Sequence, residues 1–546
     1  MTSWLPTFAR RAPNTTLQGQ NDEPLLRWKG EHSEEEGEGE DFDPRRKKGS
    51  CSPVRLKRAH ILGTLALLCI PLTLMVFFFT RSSTPIHYQP PEYDHNSSAH
   101  LNIGALYARQ SSTLDQAIAR YSLRNNRAPP PNYDQWYHFA RERGCLIDEY
   151  HQISRDFEVF YQLAEEDPEY FGKMVNKGTA KIKNVGKGMK TARFSGEKFK
   201  FTDAHRTLYN KDWPQTFRRF ERFMPDMAIL LNERDEPRIL FDYRRPNAKS
   251  LVSNTDPTPF EHSPNPTASF FKDKMQCLVP NEAVGFPGSA NNASAFLLAS
   301  ASTEFTTELY PLMSVTKISP CFADILVPSE FYYSDSRWAG LYAYPNNIPW
   351  DAKAPRIYWR GKASGGQIHD SNYHAFPRFR AVDLARAHPD LMEIGFSGFH
   401  KILCGADCDA AKIKAEYNIT RVREPREHVY KYKYVLDLDG NSFSGRYLGL
   451  LSSGSLVFKS TVFEEYFNDW LRPFEHYIPV LPDLSDLVSR VEWAINHDAE
   501  ARVIQEAGKA FADRVLTDAQ SDCYFSAVLL EWARLQSWSE TRSNSG

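Results

Sequence analysis

The sequence predicts an α/β protein with mostly parallel sheets, carried behind a single transmembrane helix and a stem. Three observations predict it. From about Pro131 onward, short apolar runs alternate with helical patterns. Roughly 400 of the 546 residues lie in that region, enough for two domains of ordinary size. Ahead of it, ILGTLALLCIPLTLMVFFFT (Ile61–Thr80) runs without a charge, and about 20 apolar residues suffice to cross a bilayer.

Residues 1–60 read as a disordered cytoplasmic tail. EHSEEEGEGEDFDPRRKK (Glu31–Lys48) is charge-segregated with little to bury, which suits a solvated tail or a sorting segment. Arg45, Arg46, Lys47, Lys48, Arg55, Lys57 and Arg58 precede the apolar run, and only Arg81 follows closely. Positive flanks favour the cytoplasmic side, so the remainder is expected to be lumenal. A cleaved signal peptide would stand nearer the N-terminus, so residues 61–80 are expected to be retained. A buried core helix would need a flanking domain. The neighbours instead are acidic low-complexity and proline-rich sequence.

Residues 81–130 read as a stem, extended by Pro85, Pro90, Pro91 and Pro129–Pro131. TLDQAIARY (Thr113–Tyr121) forms a helical pattern within it, with Thr113 as cap and Gln116 placed as in a capping box. Beyond the membrane lie six cysteines: Cys145, Cys277, Cys321, Cys404, Cys408 and Cys523. An even number suits disulfides in an oxidising compartment. Cys404 and Cys408 have the spacing of a zinc pair, but no second pair follows, which favours a disulfide with some partner. Asn96, Asn292 and Asn418 open lumenal glycosylation sequons. A net charge of −2 argues against a general nucleic-acid binder.

In the globular part, DQWYHFARERG and IDEYHQISRDFEVFYQLAEEDPEYF predict helices, and MAILLNERDEP a strand and turn. Leu251–Pro311 reads as loops. RIYWRG (Arg356–Gly361) predicts a buried strand running into a turn, and AVDLARAH a helix. The stretch from Asp483 to Leu516 is helical, with Asp483 or Ser485 as cap.

YKYVLDLDGNSFSGRYLGLLSSGSLVFKS (Tyr432–Ser460) is a strand–turn–helix–strand unit. Its turn offers Gly440 and Gly445 for unusual backbone angles and Ser442 and Ser444 as N-caps, and Gly454 ends the helix. A turn at the carboxyl end of a parallel strand attracts phosphate, and Arg446 adds a planar, permanent charge. YWRGKASGG (Tyr358–Gly366) repeats that grammar with Arg360, Gly361, Lys362 and Ser364. Two such turns suit a diphosphate; they are also compatible with two ordinary loops. Asp437 and Asp439 share a strand face, and so either hold a cation or shape the turn. Asn232-Glu233-Arg234-Asp235 ends an apolar run. A carboxylate there, beside an arginine, is either a base for a hydroxyl proton or one half of a structural pair.

PPPNYDQWYHFARERGCLIDEYHQISRDFEVFY, MPDMAILLNERDEP, SPCFADILVPSEFYY, YWRGKASGG, Tyr432–Ser460 and HYIPVLPDLSDL follow one another as in glycosyltransferase family 90, which the chain resembles over roughly residues 113–525. The opening tryptophan-rich segment and Tyr432–Ser460 look closest to the fungal branch, whose members include a β-1,2-xylosyltransferase. The resemblance implies a GT-B-like fold of two Rossmann-like lobes, residues 131–345 for the acceptor and 346–546 for the nucleotide sugar. It implies inverting transfer of xylose or glucose from a UDP-sugar to a glycan, glycoprotein or glycolipid hydroxyl. It implies Asp235 as base, with Asp226 of the MPDM segment as runner-up. Arg360, Gly361, Ser364, Ser444, Gly445 and Arg446 would bind the nucleotide. No cofactor is required; a divalent metal is possible but not expected. The animal branch carries a basic residue around Asp439, where this chain has an acid. Joined to the anchor, these features imply a single-pass type II Golgi membrane enzyme. The alternative is a non-catalytic, Golgi-anchored glycan-binding or scaffold protein.

Overall fold

The computed structural model describes residues 103–185, 188–203, 209–239, 241, 261–262, 304–305, 309–319, 322–336, 348–366, 368, 370–399, 404, 407–419 and 424–538. The chain divides into Met1–Ile86 and His87–Gly546, and every described residue belongs to the second unit. The predicted anchor at 61–80, Cys277, Cys321, Asn96 and Asn292 lie outside the described residues. No described helix is long and apolar enough to cross a membrane.

Two five-stranded sheets organise the fold. The first joins β1 (Met189–Phe194), β2 (Phe199–Phe201) and β3 (Met227–Asn232), and a short pair, β4 (Glu261–His262) and β5 (Glu304–Phe305), stands apart from it. β6 (Met313–Ser314) and β7 (Ile325–Leu326) complete it in the order β2-β1-β3-β6-β7. β3, β6 and β7 run parallel, whereas β1 is antiparallel to both β2 and β3. The first sheet is therefore mixed, an antiparallel hairpin on one edge of otherwise parallel strands. The cause is local. Gly196 (φ 57°) and Glu197 (φ 59°) are both left-handed, the backbone of a two-residue hairpin turn, and a hairpin can only pair antiparallel.

The second sheet is parallel throughout: β8 (Ala354–Ala363), β9 (Met392–Phe399), β10 (Tyr432–Leu438), β11 (Leu456–Ser460) and β12 (Ile478–Pro479). Its spatial order is β12-β11-β10-β8-β9. The chain therefore winds outward from β8 to β9, then returns to β10 on the other side of β8. The reversal between β8 and β10 is the switch point at which open α/β sheets bind ligands, at the strands' carboxyl ends. β10 has five consecutive buried residues, as a central parallel strand covered on both faces must.

Twelve helices cover the sheets among the described residues. α1 (Ile103–Ala108) and α2 (Leu114–Asn125) fall in the predicted stem, yet Leu106 and Ala117 are buried in the main core. Thr113 caps α2 by accepting from the Gln116 amide at 3.3 Å, while Gln116 Oε1 reaches back to the Ser112 amide at 3.1 Å. The pattern from Ile147 to Phe171 resolves into α4 (His151–Ala164) and α5 (Tyr170–Val185), following α3 (Tyr133–Glu142). α6 (Asp212–Arg218), α7 (Pro377–Ala387), α8 (Ala410–Glu416), α9 (Tyr447–Ser452), α10 (Leu487–Asn496) and α11 (Asp498–Arg514) come next. Asp483 caps no helix; its carboxylate instead accepts from Ser485 N and Oγ, three residues ahead of α10's own flank at Asp486.

The last helix, α12 (Asp518–Gln536), is buried almost all round and returns to the first lobe. Trp136 Nε1 donates to Cys523 O at 2.9 Å, the Leu146 amide to Gln520 Oε1 at 2.8 Å, and Trp532 Nε1 to Ala228 O at 2.8 Å. A disulfide joins Cys145 to Cys523, 378 residues apart. Cys404 and Cys408 pair with each other, so their spacing serves a disulfide.

Candidate active site

The site begins with Trp359, whose ring leans along β8 over Gly361. A Cβ at Gly361 would meet that ring at 2.5 Å, so the glycine is required by space and not by a special backbone angle. Two arginines gather on the indole, with Arg378 Cζ 5.4 Å and Arg446 Cζ 5.6 Å from the ring centroid. Each contact lies within cation–π range.

Two turns meet there. The first leaves β8 through Ser364, Gly365 (φ 126°) and Gly366 (φ 144°), which hold the left-handed angles that the sequence places in this turn. The second leaves β10 through Asp439 to Arg446. The Gly365 amide donates to Asn441 Oδ1 at 3.1 Å, and Arg446 Nη1 donates to Arg360 O at 2.9 Å. The two turns are thus one surface at the switch point.

In the second turn, the N-caps expected from Ser442 and Ser444 do not form; Arg446 occupies the cap position of α9 without a side-chain cap. Gly440 is also not left-handed. What confines it is Arg378 Nη2, 2.8 Å from where its Cβ would be. α9 has only six residues, so side chains and not a helix dipole must carry any bound anion. Ser444 Oγ and Arg446 Nη2 are buried with no hydrogen-bond partner. A buried donor without a protein partner is open to one that a ligand brings. Gly445 lies between them in the chain.

Arg360 is placed differently from expectation. Successive side chains point to opposite faces of a strand, so Arg360 faces away from Trp359. Its Nε donates to Glu424 Oε1 at 2.7 Å, and Nη2 pairs with Glu393. The guanidinium is spent on two carboxylates, and only the Arg360 carbonyl reaches Arg446.

The first lobe delivers Asp235 to this surface. β3 ends at Asn232, and Ser442 Oγ donates to Asp235 O at 2.6 Å, so residues 207 apart in sequence touch. The Asp235 side chain is open to solvent, yet protein crowds round it. Desolvation pushes its carboxyl up to about 6, against the pull of Arg234. Glu236, which the sequence reading passed over, is pushed up to about 7 by burial and by Asp235. Asp226 is elsewhere. It precedes β3, at the opposite end of that strand, and its carboxylate accepts from the Gly196 amide at 2.9 Å. It fastens the β1–β2 hairpin.

Beneath the second turn lies a buried charge cluster. Lys459 Nζ contacts Asp437 Oδ2 at 3.2 Å and Glu465 Oε2 at 3.9 Å, and lies 3.7 Å from the Tyr447 ring centroid. Asp439 Oδ2 accepts from the Val462 amide at 2.8 Å, and burial pushes its carboxyl up to about 7. Asp439 therefore shapes backbone, though that of the loop after β11 and not that of its own turn, while Asp437 pairs with the Lys459 ammonium. Among the described residues no three His, Cys, Asp or Glu side chains are grouped to hold a metal ion. Tyr332 of the first lobe hydrogen-bonds Glu465, and Phe331 stacks on Phe443 with centroids 6.0 Å apart. These contacts hold the first lobe against the second turn.

Comparison with known proteins supports the same region. Residues 338–545 match the family profile described as Glycosyl transferase family 90. Protein O-glucosyltransferase 2 of Danio rerio is 31% identical over 193 residues, covering 34% of each chain. Protein O-glucosyltransferase 3 of Homo sapiens is 30% identical over 190 residues, again 34% of each. Protein O-glucosyltransferase 1 of Rattus norvegicus is 27% identical over 195 residues, 36% of this chain and 45% of the relative. The chain spans between a third and a half of the length of these curated relatives. Both turns of the switch point fall inside the segment that matches the glycosyl transferase family 90 profile.

Proposed function

We propose that the protein is a glycosyltransferase that moves a sugar, xylose or glucose, from a UDP-sugar to a hydroxyl of a glycan, glycoprotein or glycolipid. The observation that carries the reading is the meeting of Asp235 with the turn that holds the orphaned Ser444 Oγ and Arg446 Nη2. The diphosphate lies across the ends of β8 and β10. Arg446 and Ser444 stabilise the charge that grows on the leaving UDP as the bond to the sugar breaks. Asp235 takes the proton from the acceptor hydroxyl as that oxygen attacks from the opposite face. The product then has an inverted anomeric centre. Asp437 and Asp439 take no part in donor binding, and metal independence belongs to the same proposal. The apolar run at 61–80 makes the protein a type II membrane protein of the Golgi, with this site in the lumen.

The test is to incubate the purified lumenal part with UDP-xylose and UDP-glucose, with and without mixed glycan and peptide acceptors. Acceptor-dependent release of UDP from one donor is the expected result. A protein that binds UDP but releases none from any donor would instead be the non-catalytic binder.

A further inference from the structure

We infer that Arg378 is the positioning residue that assembles the donor site, by locking the two switch-point turns into one surface. The inference rests on the sugar-nucleotide reading above and deepens it. Arg378 is the second residue of α7, behind Pro377, whose fixed φ starts the helix. From there its guanidinium reaches both strand ends. Nε donates to Asp439 O at 2.8 Å, beyond β10. Nη1 donates to Lys362 O at 3.0 Å and to Ser364 Oγ at 2.6 Å, on the β8 side. The face of the same group rests on Trp359, on whose ring Arg446 also lies.

The geometry separates Arg378 from Arg446. Arg446 gives one nitrogen to a backbone carbonyl and keeps Nη2 buried and orphaned. Arg378 directs its strong hydrogen bonds at protein acceptors on two different strands. Only a rigid planar fork spans acceptors so arranged; a lysine ammonium is a point charge on a flexible stem. Gly440 supports the reading independently. Its missing Cβ leaves the space that Arg378 Nη2 fills, and Ser364 Oγ is 3.5 Å from the same point. A methyl group there would push the guanidinium from its acceptors without touching its charge.

UDP affinity measured by calorimetry, and the split between donor KM and kcat, test this. Arg378→Ala, Arg378→Lys and Gly440→Ala should each weaken UDP binding by about tenfold, the scale of one lost hydrogen-bonded arrangement. With donor saturating, kcat should stay within about threefold, because none of these changes touches Asp235. Gly440→Ala keeps every side chain and guards against a misfolded Arg378→Ala. Wild-type affinity in Arg378→Lys would mean that charge alone matters and would overturn the positioning role. So would unchanged affinity in Gly440→Ala, or a fall in kcat with UDP affinity intact. A wild-type protein that binds no UDP would overturn the sugar-nucleotide reading and this inference together. One that binds UDP while the variants bind equally well would overturn this inference alone.

Discussion

Asp235→Asn should abolish transfer while leaving UDP binding within about threefold of wild type. General-base catalysis contributes on the order of 10²–10⁴ in rate, and asparagine keeps the shape while removing the proton acceptor. The binding surface survives because Ser442 bonds the backbone carbonyl of residue 235, not its side chain. The pH profile offers a second reading of the same role. The base must be ionised to work. Because the Asp235 carboxyl is pushed up to about 6, kcat/KM should fall as pH drops through about 6, well above the ordinary carboxylate range. The acid limb should vanish from any residual activity of Asp235→Asn. Near-normal turnover in that variant would remove Asp235 from the mechanism.

Arg446→Ala should weaken UDP binding by roughly 10- to 100-fold. A charge-assisted hydrogen bond contributes about 1.5–3 kcal/mol, and tenfold corresponds to about 1.4 kcal/mol. Its Nη2 is buried and orphaned, so a diphosphate oxygen would gain a donor already desolvated and aimed. Arg446→Lys should recover only part of the loss, since its ammonium lacks the planar fork that directs one nitrogen to Arg360 O and another to a phosphate. The measurement is a UDP titration beside a thermal melt, because Arg446 also ties the turn to β8. Unchanged affinity in a folded Arg446→Ala protein would exclude it from the donor site.

Much of the second lobe was legible in the sequence, because parallel strands and their turns are written locally. KYVLDL is apolar without alternation, and it is the buried β10. Gly454 ends α9 with φ 74°, the left-handed angle that a helix stop favours. The first lobe was less legible. Its hairpin depends on left-handed Gly196 and Glu197, and its core is completed by α12 from the far end of the chain. The site shows the same division. Asp235 and Arg446 stood out as candidates, Arg446 from its strand-end turn and Asp235 from the family resemblance. Arg378 could not, because nothing local in HAFPRFRAV shows that one arginine reaches across to β10. The partners of Arg360 were hidden for a related reason. Only the alternation of β8, with Glu393 and Glu424 brought in from elsewhere, shows that its guanidinium is already paired.

The central claim is that the ends of β8 and β10 form a diphosphate site facing Asp235. A crystal structure of the globular part with UDP tests it most directly. The expected result is a diphosphate within hydrogen-bonding distance of Ser444 Oγ and Arg446 Nη2, with the sugar side of the nucleotide towards Asp235. A nucleotide bound elsewhere, with both atoms still unpartnered, would contradict the account.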